Sequence, residues 1–413
     1  MTSSADSTPY VAIACGGTGG HLFPGLAVAG QLQTRRGRVA LLISPKDIDQ
    51  RALTTTQDVE IYTLPAVGLQ NRNYFSFARS LWKSFFAARG IFKARRPDAV
   101  LAMGGFTSAS PVLAAKEGGA KTFLHESNTV PGRANRFLAR FVDEAFIGFP
   151  EAAARLPARK ISVTGTPVRP QFFRDAGRPA SAADCRAALG LCPDRATILI
   201  VGGSQGASGL NEMVLSVLPR LAAKGWQWLH LTGANDFENV RAGYAARGMK
   251  AVVRPFLAEM DLALGAATAA VSRAGASSLA EIAALRLPSL LVPFPAAAEN
   301  HQFFNALAFR NSGAAKIIEQ KNADPGKVAE LLVELVENEP ARSQMQSALA
   351  QWHAPHAAEW IAEDILNTIA RTGRSERRVS ARRGGVASDD APSERRSKPR
   401  SQNFGVNRPE FIA

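Results

Sequence analysis

The amino-acid sequence predicts an α/β protein built from two doubly wound halves, with ligands in the crevice at the carboxyl ends of the strands. Three observations carry that expectation. Short apolar runs alternate with helical patterns from residue 10 to residue 369, as parallel strands covered by helices require. Near the N-terminus the run Val11–Ala14 stops at Gly16-Gly17-Thr18-Gly19-Gly20, and an Ala-rich helical segment follows. Halfway along, ILIVGGSQGASGLNE repeats the same strand, glycine loop and helix.

In chain order, the first half places strands at Tyr10–Ala14, Val39–Ser44, Ala99–Met103, Thr122–His125, Glu144–Ile147 and Ile161–Gly165. Helical patterns lie between them at Leu26–Gln33, Phe75–Arg95, Ala109–Glu117 and Gly132–Ala139. Pro24 falls where a first helical turn accepts proline. The stretch Thr164–Arg178, with Pro167 and Pro170 and no periodicity, reads as the link to the second half. Strands are expected there at Thr197–Val201, Gln227–Leu231, Ala251–Arg254, Ala269–Val271, Ser289–Pro293 and Ala315–Ile318. Their helices are expected at Leu210–Leu221, Ser277–Leu285, Gln302–Asn311, Lys327–Glu337 and Ala357–Ile369. The halves divide as 1–167 and 168–370. Beyond them, 371–413 lacks apolar periodicity and is expected to be a disordered basic tail.

The 413 residues, 46% hydrophobic and 20% charged, fit a globular protein of two domains. Of the formal net charge of +14, the tail supplies +6 through eleven Lys/Arg against five Asp/Glu, leaving +8 on the body. A basic body favours an anionic partner such as a nucleotide, a phospholipid surface or nucleic acid. Cys15, Cys185 and Cys192 share no metal-ligand spacing, and an odd, sparse count points to a reducing compartment. The start, MTSSADSTPY, lacks the basic and apolar regions of a signal peptide. No apolar run approaches the roughly 18–20 residues that span a bilayer. The expectation is a cytosolic protein, or one bound to a membrane from the cytosolic side.

A glycine loop between strand and helix lets backbone N–H groups approach an anion, and the helix N-terminus adds partial positive charge. The first loop is not the dinucleotide fingerprint, because Leu22 occupies the last glycine position. It is followed at once by His21. In the second, Gly202-Gly203-Ser204-Gln205-Gly206, the Ser204 hydroxyl is placed to donate to a phosphate oxygen. A third strand end, Ser272–Ser278, turns into a helix that carries Glu281 about one turn in. A carboxylate there accepts two hydrogen bonds from a ribose diol, or simply matches the helix dipole. Gln302, at the head of a further helix, is suited to sugar hydroxyls. Asp47-Ile48-Asp49 spells the Asp-x-Asp pattern of metal-dependent glycosyltransferases, but it follows the second strand of a doubly wound half, and no metal is expected. His230, His353 and His356 show no ligand spacing.

In this order GGTGGHLFPGLAVA, HESN followed by VPG, GTPVR, GGSQGA, SRAGA…E and NHQ…NA resemble the bacterial MurG family over about Val11–Ile369. These are the UDP-N-acetylglucosamine:undecaprenyl-pyrophosphoryl-N-acetylmuramoyl-pentapeptide N-acetylglucosaminyltransferases. The resemblance implies a GT-B fold of two Rossmann-like domains, with the last helix, Ala357–Ile369, returning to the first. It implies inverting, metal-independent transfer of GlcNAc from UDP-GlcNAc to the C4 hydroxyl of MurNAc in the undecaprenyl-linked acceptor, lipid I to lipid II. Peptidoglycan synthesis, cell shape and division follow from that reaction. The implied partners are UDP-GlcNAc, lipid I, anionic inner-membrane lipids at the cytoplasmic face, and other cell-wall or division proteins. No cofactor and no specific nucleic acid are implied.

The same resemblance puts Thr18, Gly19, Gly20 and His21 at the donor–acceptor cleft, with His21 as catalytic base or as the group that orients the acceptor hydroxyl. Asn128 is placed against the transferred sugar, and Arg169 and Ser204 at the diphosphate. Leu257 and the turn Ala276, Ser277, Ser278 hold the uracil side, Glu281 the ribose and Gln302 the GlcNAc hydroxyls. Gly16, Gly17, Gly104 and Gly105 form acceptor phosphate loops. Glu126, beside His125 at a strand end, is an acceptor contact or a secondary base. The sequence departs from the family in having Ala109 where a further glycine is usual, Ser127 where Gln is common and Thr166 where Asn is common.

Between Glu60 and Asp98 no acidic residue occurs. At about 100° per residue, Ala78, Leu81, Phe85, Ala88 and Phe92 share one arc, a core-facing stripe. On a neighbouring face Phe75, Trp82 and Phe86 are interleaved with Arg79, Arg89 and Lys93, a mixture suited to the headgroup boundary of an anionic membrane. Two other functions compete: a transferase of the same fold acting on another lipid such as a diacylglycerol, and a nucleic-acid-binding protein with a basic arm. The second lacks any helix-turn-helix, zinc or RNP signature.

Overall fold

Two parallel sheets, one in each half, underlie the alternation of the sequence. The computed structural model describes residues 8–16, 19–45, 59–65, 74–173, 181–203 and 206–384. The first sheet joins β1 (Tyr10–Ala14), β2 (Arg38–Ile43), β3 (Glu60–Thr63), β4 (Ala99–Ala102), β5 (Lys121–Glu126), β6 (Glu144–Ile147) and β7 (Ile161–Val163) in the order β3-β2-β1-β4-β5-β6-β7. The second joins β8 (Thr197–Val201), β9 (Gln227–Leu231), β10 (Ala251–Arg254), β11 (Ala269–Ser272), β12 (Ser289–Leu291) and β13 (Lys316–Ile317) in the order β10-β9-β8-β11-β12-β13. After their first residues, Tyr10 and Thr197, β1 and β8 are apolar because both their faces are covered, and every residue of each is buried.

Helices α1 (Gly19–Thr34), α2 (Tyr74–Ala94), α3 (Ala109–Glu117) and α4 (Arg133–Leu138) belong to the first half. The second carries α5 (Ala182–Ala188), α6 (Ser208–Leu221), α7 (Phe237–Ala245), α8 (Met260–Ala266), α9 (Ala276–Ala284), α10 (His301–Asn311), α11 (Pro325–Glu337) and α12 (Glu339–Trp352). The last helix, α13 (Ala357–Gly384), buries Ala358, Ile361, Ala362 and Ile365 in the same core cluster as Val11, Ile13, Leu22 and Val28 of the first half.

Several elements differ from the sequence reading. The edge strand β3 and helices α5, α7, α8 and α12 were not expected. β3 has the half-exposed alternation of a sheet edge and too little apolar patterning to announce itself. The tail expected from Arg371 is helical as far as Gly384, since a helix nucleated on a packed stripe extends at little cost through Arg, Glu, Ser and Ala. Residues 385–413 lie outside the described residues. By contact the described residues up to Ala370 group into one compact unit.

Each sheet reverses its strand order beside its first strand, between β1 and β4 and between β8 and β11. In open parallel sheets the crevice for a ligand opens at the carboxyl ends of the strands at such a reversal. Gly16 and Met103–Thr107 sit at one of these points, and Gly202, Gly203 and Arg273–Gly275 at the other.

Candidate active site

At the end of β1 the backbone passes so close to β2 that a Cβ at Gly16 would stand 2.3 Å from Ser44 N. Gly16 O accepts from Thr107 Oγ1 at 2.8 Å, which ties this loop to the one after β4. That second loop is bent by Gly104 (φ +106°) and Gly105 (φ +78°), conformations an L side chain adopts only under strain. The half-buried His21 imidazole lies on them. A Cβ at Gly104 would stand 3.1 Å from His21 Nε2, and one at Gly105 3.2 Å from Cε1. The two glycines therefore make a flat backbone seat for the ring. Gly17 and Thr18 lie outside the described residues.

Pro24 is inside α1 rather than in its first turn, because the helix already begins at Gly19. Proline has no N–H to give the carbonyl four residues back. That carbonyl, Gly20 O, instead accepts from Ser277 Oγ of α9 at 2.8 Å. Ser277, expected at the uracil, thus spans the cleft. Its neighbours Ala276 and Ser278 open the same helix, and Leu257, also assigned to the uracil side, is buried in the second half.

Arg169, at the link between the halves, stacks its guanidinium over the Phe23 ring of α1, 4.1 Å from the centroid, and lies 5.3 Å from that of Phe172. Its Nη2 is 3.8 Å from Glu281 Oε1. Both side chains are mostly buried. Burial pushes the Glu281 carboxyl up to about 7 against the pull of Arg169, with Asp261 adding to the rise. Arg169 Nε is buried without a hydrogen-bond partner among the described residues. The residues expected at the ribose and at the diphosphate thus adjoin one another.

Glu126 is not placed to act as a base. It is buried, its Oε1 accepts from Asn128 N (2.8 Å) and Asn128 Nδ2 (3.0 Å), and its Oε2 accepts from Gly132 N (3.0 Å) and Asn135 Nδ2 (2.7 Å). With both oxygens filled, it fixes the loop from Asn128 to α4. Neighbouring His125 is fully buried, and burial lowers its imidazole to about 4. The tautomer that satisfies both its contacts donates from Nε2 to Gly165 O at 3.1 Å and accepts at Nδ1 from Ser127 Oγ at 3.2 Å.

Asn305, one turn into α10, was not singled out by the sequence beyond its place in NHQ…NA. Its Oδ1 accepts from Thr129 N and Thr129 Oγ1, both at 3.0 Å, and its Nδ2 donates to Asn128 Oδ1 (3.0 Å) and Ala274 O (3.1 Å). One fully buried carboxamide therefore joins the two halves. Gln302 also differs from expectation. Its Oε1 accepts from Ala274 N (3.2 Å) and Phe294 N (3.0 Å), so the side chain offers a ligand donors from Nε2 rather than a donor and an acceptor.

In the second glycine loop, Ser204 lies outside the described residues, as do Gln205 and the Asp47-Ile48-Asp49 motif. Gly203 (φ +100°) and Gly206 (φ +77°) need glycine, and a Cβ at Gly206 would stand 2.4 Å from Thr232 O. Behind the loop Asn211 donates to Thr232 O (3.0 Å) and Asp236 Oδ2 (2.7 Å). Asn211 Oδ1 accepts from His230 Nε2 (3.0 Å), and His230 Nδ1 accepts from Tyr244 Oη (3.2 Å). Burial lowers His230 to about 3, which keeps it neutral.

On α2, Trp82 is 66% exposed and Phe86 49%, their ring centroids 5.1 Å apart. Arg79 and Lys93 of the same helix are also exposed. Arg89 is engaged with Glu117, its Nη2 2.8 Å from Oε1. Ala88 and Phe92 are buried as expected, but Ala78 is exposed. Of Phe75, only the backbone is described. Among the described residues, no helix is long and apolar enough to cross a membrane.

Comparison with known proteins identifies the family and the fold. Residues 11–147 match the glycosyltransferase family 28 N-terminal domain and residues 197–361 its C-terminal domain. The chain is 35% identical over 366 residues to the UDP-N-acetylglucosamine--N-acetylmuramyl-(pentapeptide) pyrophosphoryl-undecaprenol N-acetylglucosamine transferase of Anaeromyxobacter sp. (strain K), covering 87% of this chain and 93% of that protein. The protein of the same name from Syntrophus aciditrophicus (strain SB) is 35% identical over 369 residues, covering 88% and 99%. Among solved structures, Acinetobacter baumannii MurG is similar with a TM-score of 0.68 and 29% identity, covering 87% of this chain and 99% of that one.

Proposed function

The chain belongs to the MurG family within glycosyltransferase family 28, and from that premise we propose how its residues carry out the transfer. It is an N-acetylglucosaminyltransferase of peptidoglycan synthesis that takes GlcNAc from UDP-GlcNAc to the MurNAc of undecaprenyl-pyrophosphoryl-MurNAc-pentapeptide. Domain 1–167 receives the acceptor and domain 168–370 the donor. The observation that carries the assignment of roles is the contact of Ser277 Oγ with Gly20 O, which sets the donor-side turn against the helix mouth that bears His21.

In this reading the acceptor C4 hydroxyl donates to His21, and its oxygen attacks the anomeric carbon in line as UDP departs from the opposite face. The helix N-terminus beside His21 favours a neutral, proton-accepting imidazole. The Gly104–Gly105 seat fixes the plane of the ring. Charge developing on the leaving diphosphate meets Arg169, the N–H groups around Gly202–Gly206 and the N-terminus of α6. Glu281 takes the ribose hydroxyls and Gln302 Nε2 donates to a GlcNAc hydroxyl. Asn128, whose carboxamide is fixed by Glu126 and Asn305, meets the transferred sugar. Labelled UDP-GlcNAc with a lipid I analogue, with and without EDTA, tests the whole assignment. Equal formation of lipid II and UDP in both is expected, and loss of transfer with EDTA overturns the metal-independent route.

The acceptor's lipid places the reaction at a bilayer surface, and the exposed pair Trp82 and Phe86, with Arg79 and Lys93, is the docking face for anionic lipid at the cytoplasmic side of the inner membrane. Aromatic rings insert at the headgroup boundary, and each nearby cation gains about 1 kcal/mol. Trp82→Glu with Phe86→Glu is expected to abolish cosedimentation with phosphatidylglycerol vesicles and to leave turnover of a soluble acceptor analogue intact. Vesicle binding at the wild-type level would move the docking face elsewhere.

A further inference from the structure

The turn that precedes α10 is strained. Glu299 (φ 50°, ψ 25°) and Asn300 (φ 55°, ψ 27°) are consecutive non-glycine residues in the left-handed region. Such a conformation persists only where its surroundings over-determine it. Part of what holds it comes from its own half. Asn300 N donates to Ala297 O at 2.9 Å, and His301 Nδ1 donates to Ala298 O at 2.8 Å. The rest comes from across the cleft. Glu299 Oε1 accepts from Arg136 Nη2 at 2.7 Å and from Arg133 Nε at 3.2 Å, and these bonds hold its carboxyl below the usual carboxylate range.

Both arginines lie on α4, whose entry is pinned by Gly132 N and Asn135 to the buried Glu126. Two residues beyond Asn300, after His301, stands Gln302, its Oε1 fixed by Ala274 N and Phe294 N and its Nε2 left for the ligand. One rigid piece of the acceptor half therefore clamps the turn that aims a donor-site amide.

We propose that Glu299 is a positioning residue for the donor: held by Arg133 and Arg136, it keeps the turn before α10 in the left-handed backbone that sets Gln302 in place. This rests on the assignment of Gln302 to the donor sugar. The contact is partly solvated, with Arg133 84% and Glu299 31% exposed, so its effect is moderate and sensitive to salt.

Three variants of the full chain test it: Glu299→Gln, Arg136→Gln and the charge exchange Glu299→Arg with Arg136→Glu. Glu299→Gln is expected to raise the KM for UDP-GlcNAc about fivefold with kcat within about twofold. The wild-type KM is expected to rise more steeply with added NaCl than that of Glu299→Gln, which keeps only the screening of the diphosphate contacts, with partial rescue in the exchange variant. A KM unchanged in Glu299→Gln, or a loss of melting temperature alone, overturns the proposal. Hydrogen exchange of the amides from Ala298 to Phe304 gives a readout that needs no substrate. Faster exchange there in Glu299→Gln, beside unchanged exchange in β8, supports the clamp even if the wild-type chain transferred no GlcNAc, and that inactivity would count against the assigned reaction alone. Unchanged exchange overturns the clamp.

Discussion

The glycine loops after β1 and β8 begin from one local plan, a buried apolar strand, a run of glycines and a helix, and the tertiary structure uses them differently. After β1 the backbone of Gly104 and Gly105 comes up against the His21 ring, so the loop presents a titratable side chain on a rigid seat. After β8 the conformationally special positions are again glycines, but the titratable histidine, His230, is sealed beneath the loop and bonded at both ring nitrogens. A histidine at the mouth of a helix keeps access to a reacting proton. One buried under a helix is held neutral and serves as a spacer between Tyr244 and Asn211. Local sequence pattern is nearly silent on this difference, because it depends on which neighbouring strand supplies the opposing surface.

The contrast is broken most sharply at His21. His21→Ala is expected to lower kcat by about 10²–10⁴-fold while leaving UDP affinity nearly intact, measured by steady-state kinetics and by calorimetric titration with UDP. An equal loss of UDP binding would make this ring structural as well and erase the distinction between the loops.

The second loop is expected to fail through stability instead. Asn211→Leu strips His230 Nε2, Thr232 O and Asp236 of a partner in a buried setting, which costs about 3 kcal/mol. A fall in melting temperature, with kcat close to wild type in the fraction that remains folded, is the expected result. A collapse of kcat in well-folded protein would mean that the network acts on the reaction as directly as His21 does.

The smallest effect concerns the charge pair between the loops. Because Glu281 titrates near 7, its carboxylate is ionised above that value and accepts from the ribose diol there, whereas below it a protonated carboxyl has lost acceptor capacity. UDP affinity is therefore expected to weaken as pH falls through 7, by up to about tenfold per pH unit. Glu281→Gln should flatten that profile. A persistent slope in the variant would assign the titration to another group.

Much of the fold was legible in the chain. β1, β4, β8 and β11 each hold an apolar run of three or more residues because both faces are covered, and such runs stand out in any reading. The half-exposed β3 and the short α5 and α8 did not stand out, since an edge strand and one- or two-turn helices carry too few residues for a period to show. Within the site, the glycines, His21, Glu281 and Gln302 were marked by residue type and by position at strand ends or in the first turns of helices, and Arg169 by the family resemblance alone. What those side chains touch was not. Glu126 looked available as a base until four donors were seen to fill its oxygens, and Gln302 looked two-sided until its Oε1 was seen to accept two backbone N–H groups.

By itself, then, the sequence determined the two-domain α/β plan, the strand ends at which ligands gather, and the chemical types gathered there. These follow from periodicities of two or three to four residues and from the backbone freedom of glycine, all of them local properties. Tertiary structure alone decided the contacts that cross the cleft: Ser277 with the Gly20 carbonyl that Pro24 leaves without an N–H, Asn305 with Asn128 and Thr129, and Glu299 with Arg133 and Arg136. Their partners stand between 163 and 257 residues apart in the chain. No local pattern encodes such a pairing, because each bond exists only once two separately folded sheets have brought their reversal points face to face.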